Sequence, residues 1–323
     1  MGSNTKWIES RADEAASRVA RRALKRHLAR MWSYLELAVG QPAGEEEHVH
    51  QLRVFSRRAA AVMDAFACYL PRRRGRWLSK KLRKIRKAAG AARDLDVLLM
   101  RWSDYVRHTP SSHAALLLEQ IKRHRQAAQG PIAEIYLKLA RQQFNRRVKK
   151  LLKQVRARKS TGACGERFDC FARQAIQRVI GPYLRAAEGE LHDAAAMHAF
   201  RIQSKQVRYA MEIFGGAFDE EFRKRLYPLI ETLQNRLGAI NDHVTAQTYF
   251  AAWHAEADSA AVRSALESGM DREQQDLESS SREFLAWWTS DRRDDLCRRL
   301  ERYIDAAEPS TGEAPGSDSS NNN

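Results

Sequence analysis

A histidine followed three and seven residues later by a basic side chain occurs twice in this sequence, at a separation of 198 − 50 = 148 positions. His50, Arg53 and Arg57, with Arg58 alongside, recur as His198, Arg201 and Lys205, with Arg208 one turn further on. At about 100° per residue, the first three side chains share an arc of about 60° on a helix and the second four an arc of about 80°. Leu52, Phe55, Val62 and Phe66 lie nearly opposite the first stripe, and Phe200, Val207, Met211 and Phe214 opposite the second. Each segment is therefore expected to be a helix with a core face and a cationic face. Arginine presents a planar fork to phosphate oxygens, lysine a point charge, and histidine a donor that gains charge when a polyanion is near.

The same offset holds beyond the stripes. Met63-Asp64-Ala65-Phe66 matches Met211-Glu212-Ile213-Phe214, and Gly90-Ala91-Ala92-Arg93-Asp94 matches Gly238-Ala239-Ile240-Asn241-Asp242. A fixed register over this span means two tandem copies of one helical unit.

Other helices repeat the segregation. Arg18, Arg21, Arg22 and Lys25 stand opposite Ala20, Ala23, Leu24 and Met31, while Lys80, Arg83, Lys84 and Lys87 turn away from Leu78, Leu82, Ile85 and Ala89. Like charges three and four residues apart cost a few tenths of a kcal/mol per pair on a helix, a penalty that a bound polyanion reverses. One exposed ionic contact is worth only about 0 to 1 kcal/mol, so useful affinity needs many phosphates on one ligand. A nucleotide satisfies two or three such side chains, whereas an extended polyphosphate follows a whole groove.

The elements that position these residues are helical. The chain is rich in strong helix formers and holds only 16 Gly and 8 Pro among 323 residues, which leaves few breakers to delimit strands. Periodicity predicts helices over 15–39, from Glu45 to about Pro71, over 76–106 and over 111–129, then a long basic helix from Pro131 to about Lys159 that includes the run from Arg146 to Arg156. Gln41-Pro42-Ala43-Gly44 breaks the first pattern, and Ser160-Thr161-Gly162-Ala163-Cys164-Gly165 reads as a linker. The expected organisation is a flexible stretch 1–14, repeats at 15–160 and 161–307, and a disordered acidic tail at 308–323. Trp287 and Trp288, in an apolar stretch, are expected in the core.

Lys+Arg minus Asp+Glu gives 37 − 13 = +24 for residues 1–160 and 19 − 27 = −8 for the remainder, summing to the chain's +16. The first half therefore attracts polyanions. Four scattered cysteines favour a reducing cytoplasm, and no run of about 18 apolar residues spans a membrane.

Competing chemistries are weaker. His48 with His50, or His198 with His243, lacks a fixed ligand spacing and sits in positive charge that opposes a dication, so no metal and no cofactor is expected. Asp94, Asp96 and Asp242 read as ion-pair partners of neighbouring arginines, Asp94 of Arg93 above all, rather than as carboxylates for Mg²⁺, and no phosphate loop is present, which argues against an enzyme. Nucleic acid is the competing polyanion, although no recognised DNA- or RNA-binding signature appears and only Trp77 borders a basic stripe. His27 lies on an apolar face and reads as structural.

His50-Gln51-Leu52-Arg53-Val54 with Arg57-Arg58, then Leu82 to Gly90 running into Ala91-Ala92-Arg93-Asp94-Leu95-Asp96-Val97, resembles the CHAD domain, the conserved histidine alpha-helical domain. His198-Ala199-Phe200-Arg201-Ile202-Gln203-Ser204-Lys205 with Arg208-Tyr209, and Leu237-Gly238-Ala239-Ile240-Asn241-Asp242, resembles its C-terminal half; together the likeness covers roughly residues 15–305. The resemblance implies an all-α fold of two pseudo-symmetric tandem four-helix bundles, binding of inorganic polyphosphate, and a place at cytoplasmic polyphosphate granules. By position it assigns phosphate contact to His50, Arg53, Arg57, Arg58, His198, Arg201, Lys205 and Arg208, and more softly to Arg83, Lys87 and Arg93. Asn241 in place of Arg93, Pro228 in place of Lys80 and Gln206 in place of Arg58 point to weaker binding in the second half.

Overall fold

A computed structural model describes residues 6–40, 46–156, 167–191 and 193–305. Twelve α-helices carry the described chain: α1 (Ala16–Gly40), α2 (Glu46–Ala65), α3 (Arg72–Ala88), α4 (Gly90–His108), α5 (Ser112–Ala127), α6 (Gly130–Arg141), α7 (Phe144–Leu152), α8 (Phe168–Ala187), α9 (Ala194–Phe214), α10 (Tyr227–Glu256), α11 (Ala260–Trp287) and α12 (Ser290–Asp305). Among the described residues β-structure is confined to one isolated bridge between Ala15 and Arg167. None of these helices is long and apolar enough to cross a membrane.

Most breaks follow local chemistry. Glu46 and Glu47 open α2, where carboxylates meet the positive end of the helix dipole. Ser111 caps α5 by accepting from the Ala114 N–H, and Asp193 caps α9 through the Ala196 N–H. Two helices expected to be continuous divide. The 76–106 segment breaks at Ala89 into α3 and α4, although its repeat copy runs unbroken through Gly238 within α10. The basic helix ends at Arg141 and resumes at Phe144 after Gln143, whose φ of 54° is left-handed. The run from Arg146 to Lys153 forms the exposed face of α7 and its end, with Val148, Leu151 and Leu152 buried. The proposed linker at 160–165, the break at 41–44 and the tail lie outside the described residues.

The stretch 1–14 departs from the expected flexibility: within its described part Ile8 is buried, and Phe168 and Asp169 donate backbone N–H groups to the carbonyls of Glu14 and Ala12. Apolar Trp7 and Ile8 bury surface that offsets the entropy of ordering this segment. Trp287 and Trp288 are only half-buried, stacked on one another at the core's rim, with the guanidiniums of Arg236 and Arg292 over Trp287. Cys170 is disulfide-bonded, so the scatter of cysteines did not mean reduced thiols throughout.

The tandem bundles expected from the repeat do not bury their apolar faces separately. One core cluster joins Leu95, Leu98 and Trp102 of α4 and Leu117 and Ile121 of α5 to Phe250 and Trp253 of α10 and Leu266 of α11. Each repeat thus contributes one helical hairpin to a shared four-helix core. Gly269 permits the close approach, since a Cβ there would strike Leu117 and come within 3.2 Å of Phe250. The larger core also crosses the repeat boundary, with Phe66 of the first copy 5.2 Å from Phe171 and 5.7 Å from Phe214 of the second. Arg58 donates to Glu212 at 2.8 Å in the same contact, both largely buried.

Shared cores bind the stability of each half to the other. A fragment ending at residue 156 is expected to lack a cooperative urea transition, because Leu95, Leu98 and Trp102 lose their partners. Phe250→Ala is expected to lower the stability of the whole chain by about 3–5 kcal/mol, read as a shift of one transition rather than the appearance of two.

Candidate polyanion-binding trough

The apolar face of α2 is taken up by α1, and that of α9 by α8 and α10, which leaves the cationic faces of α2 and α9 to meet each other. The first turns of α4 and the middle of α10 flank the contact. Through this pairing, residues 148 positions apart become neighbours.

Electrostatic coupling traces the trough. Lys205 on α9 feels Arg201, Arg57, Arg208 and Arg53, and Arg201 in turn feels Arg57 and Asp94 from the first repeat. Burial comes first among the causes that hold the Lys205 ammonium down at about 7, followed by these four guanidiniums. Burial also lowers Arg53, Arg86 and Arg201, with Arg57 a repelling neighbour of each. Arg57 and Lys205 make no hydrogen bond or ion pair among the described residues. The Nε–H donors of Arg201 and Arg208 are buried and unmet, a condition that anion oxygens would relieve.

Two carboxylates temper the repulsion. Asp94 lies 3.5 Å from Arg53, and Asp242 is the leading opposite charge on Arg201, so one Arg–Asp pairing occurs in each repeat. The partner of Asp94 is therefore Arg53 on another helix rather than its neighbour Arg93. Burial raises both carboxyls, against the pull of these arginines. Asp96 is not in the trough: it is buried against Arg125.

The two name-giving positions of the repeat differ. His50 is half-buried, its pKa lowered by burial and then by Arg93, with Arg57 and Arg53 also repelling its protonated form. His198 is exposed and its Nδ1 lies 2.9 Å from Asn241 Oδ1, which also accepts from Arg201 at 3.2 Å. Asn241 thus replaces the charge of Arg93 with a neutral brace. His243 is buried on the far side of α10 against Glu273, well separated in role from His198. His27 is buried and held neutral, down at about 3, chiefly by burial.

Several expected contacts fall elsewhere. Arg58 is committed to Glu212, because its place on α2 turns it toward the inter-repeat seam. Arg22 donates to the carboxylate of Glu14 and to the Glu9 carbonyl, and Arg18, Arg21 and Lys25 are exposed along α1. None of these four is among the leading charges on Lys205, Arg201 or His50, because α1 packs its opposite face on α2. Lys87 and Arg83 are exposed on α3, and Arg83 is a repelling neighbour of Arg86. Arg208 stays in the trough with its Nε 3.9 Å from Glu212.

Sequence reading missed Arg86, whose backbone carbonyl accepts from Arg53 and whose guanidinium donates to the Ser56 carbonyl. Its counterpart Gln234 donates to the Arg201 carbonyl, so the 148-residue offset held the signal. It also missed Tyr209 and Tyr249, which border the cations; the Arg208 guanidinium lies 5.3 Å from the Tyr209 ring.

The CHAD domain family model matches residues 22–251. Among solved structures, the crystal structure of the CHAD domain from the plant Ricinus communis is similar over 91% of this chain and 96% of its own, at 21% identity and a TM-score of 0.66. PptA from Streptomyces chartreusis is similar over 90% of this chain and 100% of its own, at 14% identity and a TM-score of 0.58. No curated protein matches.

The depressed Lys205 sets the pH dependence. An anion in the trough restores its proton, so binding at about pH 8.5 is expected to take up about one proton, and affinity to fall as pH rises through 7. Calorimetry in buffers of different ionisation enthalpy reads the uptake, which Lys205→Met should abolish. In the unliganded protein the folded pKa lies below the unfolded one, so stability should rise with pH between about 7 and 10.5.

Proposed function

The chain belongs to the CHAD domain family, and from that membership and the trough we propose that it binds inorganic polyphosphate and thereby docks on polyphosphate granules in the cytoplasm. The observation that carries the reading is the convergence of Arg53 and Arg57 from one repeat with Arg201, Lys205 and Arg208 from the other. A thin linear string of phosphates reaches half-buried cations on both sides of a seam between two helices. A duplex presents its phosphates on a wide rigid surface and meets fewer of them. Each phosphate adds a modest contact, and the chain's length multiplies them.

Binding rather than catalysis is the role we assign. Asp94 and Asp242, the carboxylates nearest the cations, are each turned to an arginine, which leaves them poorly disposed to hold Mg²⁺. His50, Arg93 and His198 extend the contact at one end, with Arg93 giving the first repeat the stronger share. Lys87 and Arg83 take phosphates that run past the trough along α3.

Arg57→Ala and Lys205→Ala are each expected to weaken long-chain polyphosphate binding by about tenfold or more, since neither cation has a hydrogen-bond or ion-pair partner among the described residues. Arg22→Ala, on α1, is expected to change it by less than about twofold. Affinity should fall steeply with salt. Against labelled polyphosphate at about 150 mM salt, unlabelled polyphosphate should displace far better than duplex DNA of equal charge. DNA winning that competition would overturn the assignment, as would shortening of the polymer on incubation with Mg²⁺.

A further inference from the structure

The carboxylate of Glu212 is buried in the seam between the repeats, beside the cations of the trough. One oxygen, Oε2, accepts from Arg58 Nε of the first repeat at 2.8 Å. The other, Oε1, accepts from the Tyr227 hydroxyl at 2.9 Å. Arg208, one turn before Glu212 on α9, brings its Nε to 3.9 Å from that second oxygen, and among the described residues no hydrogen-bond acceptor meets the buried Nε–H. An arginine beside a buried carboxylate ordinarily closes on it at about 2.7–2.9 Å. Here the phenol has taken the place.

A phenol has one proton to give, and two carboxylates are within reach of it, since Glu231 Oε1 lies 3.3 Å from the same hydroxyl. The N-terminal segment decides between them. Lys6 pairs with Glu231 at 3.4 Å, which satisfies that carboxylate and leaves the Tyr227 proton to the shorter bond with Glu212. Lys6 also lies 4.4 Å over the Tyr227 ring, and Trp7 packs 4.8 Å from it. Ile8 donates its N–H to the Glu212 carbonyl at 3.2 Å. Burial, and then the charge of Glu212, push the phenol's pKa up, so it stays a donor at neutral pH.

The first copy has none of these parts. Subtracting 148 gives Ala60 for Arg208, Ser79 for Tyr227 and Arg83 for Glu231. The added cation and the groups around it thus occur together, in the copy that has Gln206 and Asn241 where the first has Arg58 and Arg93.

We propose that Tyr227 is a positioning residue for the trough: its hydroxyl occupies Glu212 Oε1, keeps Arg208 from closing on that carboxylate, and so leaves the guanidinium to an incoming anion. Lys6, by holding Glu231, keeps Tyr227 in that role. The inference rests on the trough as an anion site and gives the segment that carries Lys6 and Trp7 a part in binding there.

Nitrogen-15 spectra of the arginine Nε–H groups, and polyphosphate titrations over a range of salt, test it on the full chain. In Tyr227→Phe the Arg208 Nε–H signal, assigned by its loss in Arg208→Lys, is expected to move downfield as it bonds Glu212. Affinity for long-chain polyphosphate is expected to fall by about threefold or more. The slope of log affinity against log salt should drop by about one, as one cation leaves the contact. Arg208→Ala should lose the same share, and Tyr227→Phe added to it should cost less than about twofold more. A residue that merely stabilised the fold would lower the melting temperature and leave the salt slope alone. Unchanged affinity in Tyr227→Phe, its full cost in the Arg208→Ala background, or an unmoved Arg208 signal would overturn the proposal. Failure of the unaltered chain to bind polyphosphate would instead sink the function assigned to the trough, and the Arg208 signal would still decide whether Tyr227 holds that side chain off Glu212. Should Tyr227→Phe fail to fold, Lys6→Met is read in the same way, with a smaller loss in the same direction.

Discussion

Like charges on α2 and α9 are held at a distance that they would relax in water. Arg53, Arg57, Arg201, Lys205 and Arg208 act on one another across the seam, and burial weakens the solvent screening that would otherwise separate them. The free energy that keeps them together comes from elsewhere. Apolar side chains on the opposite faces of the same two helices are withdrawn from water, and the helices cannot part without exposing them. Repulsion is thus a standing cost of the fold, partly offset by Asp94 and Asp242, and a bound polyanion would remove it.

That constraint explains why the two repeats share their cores. If each copy had folded around its own interior, the cationic faces would have been free to swing apart. Burial of α4 and α5 against α10 and α11 ties one copy to the other at one end, and the ring contacts among Phe66, Phe171 and Phe214 tie them at another. Arg58 and Glu212 add a buried ion pair in the same seam. Breaking such a pair is costly because the remaining charge is left without a partner, so this contact sets the relative orientation of α2 and α9 more than it adds to stability.

The two copies also differ beside α2 and α9. In the second copy the chain's own Lys6, Trp7 and Ile8 complete the surface beside α9. In the first copy a change from Glu231 to Arg83 and from Tyr227 to Ser79 removes both the charge match and the ring that such a segment needs.

Much was legible in the residues alone. Helical character, the two cationic stripes and the 148-residue offset follow from side-chain periodicity and composition, because a helix fixes which residues share a face regardless of what it packs on. Family membership followed from His50 to Asp96 and its copy. Tertiary structure decided the rest, because it concerns residues distant in sequence. Arg58 sits one position from Arg57, yet one turns into the seam to meet Glu212 and the other into the trough, a difference of about 100° that matters only once a neighbour is present. Arg22 is held by Glu9 and Glu14, which reach it from a segment with no periodicity to announce it. Charge pattern determined that this chain carries cationic helix faces; which cations come together depended on where two amphipathic helices, each burying its apolar side, had left their polar sides to meet.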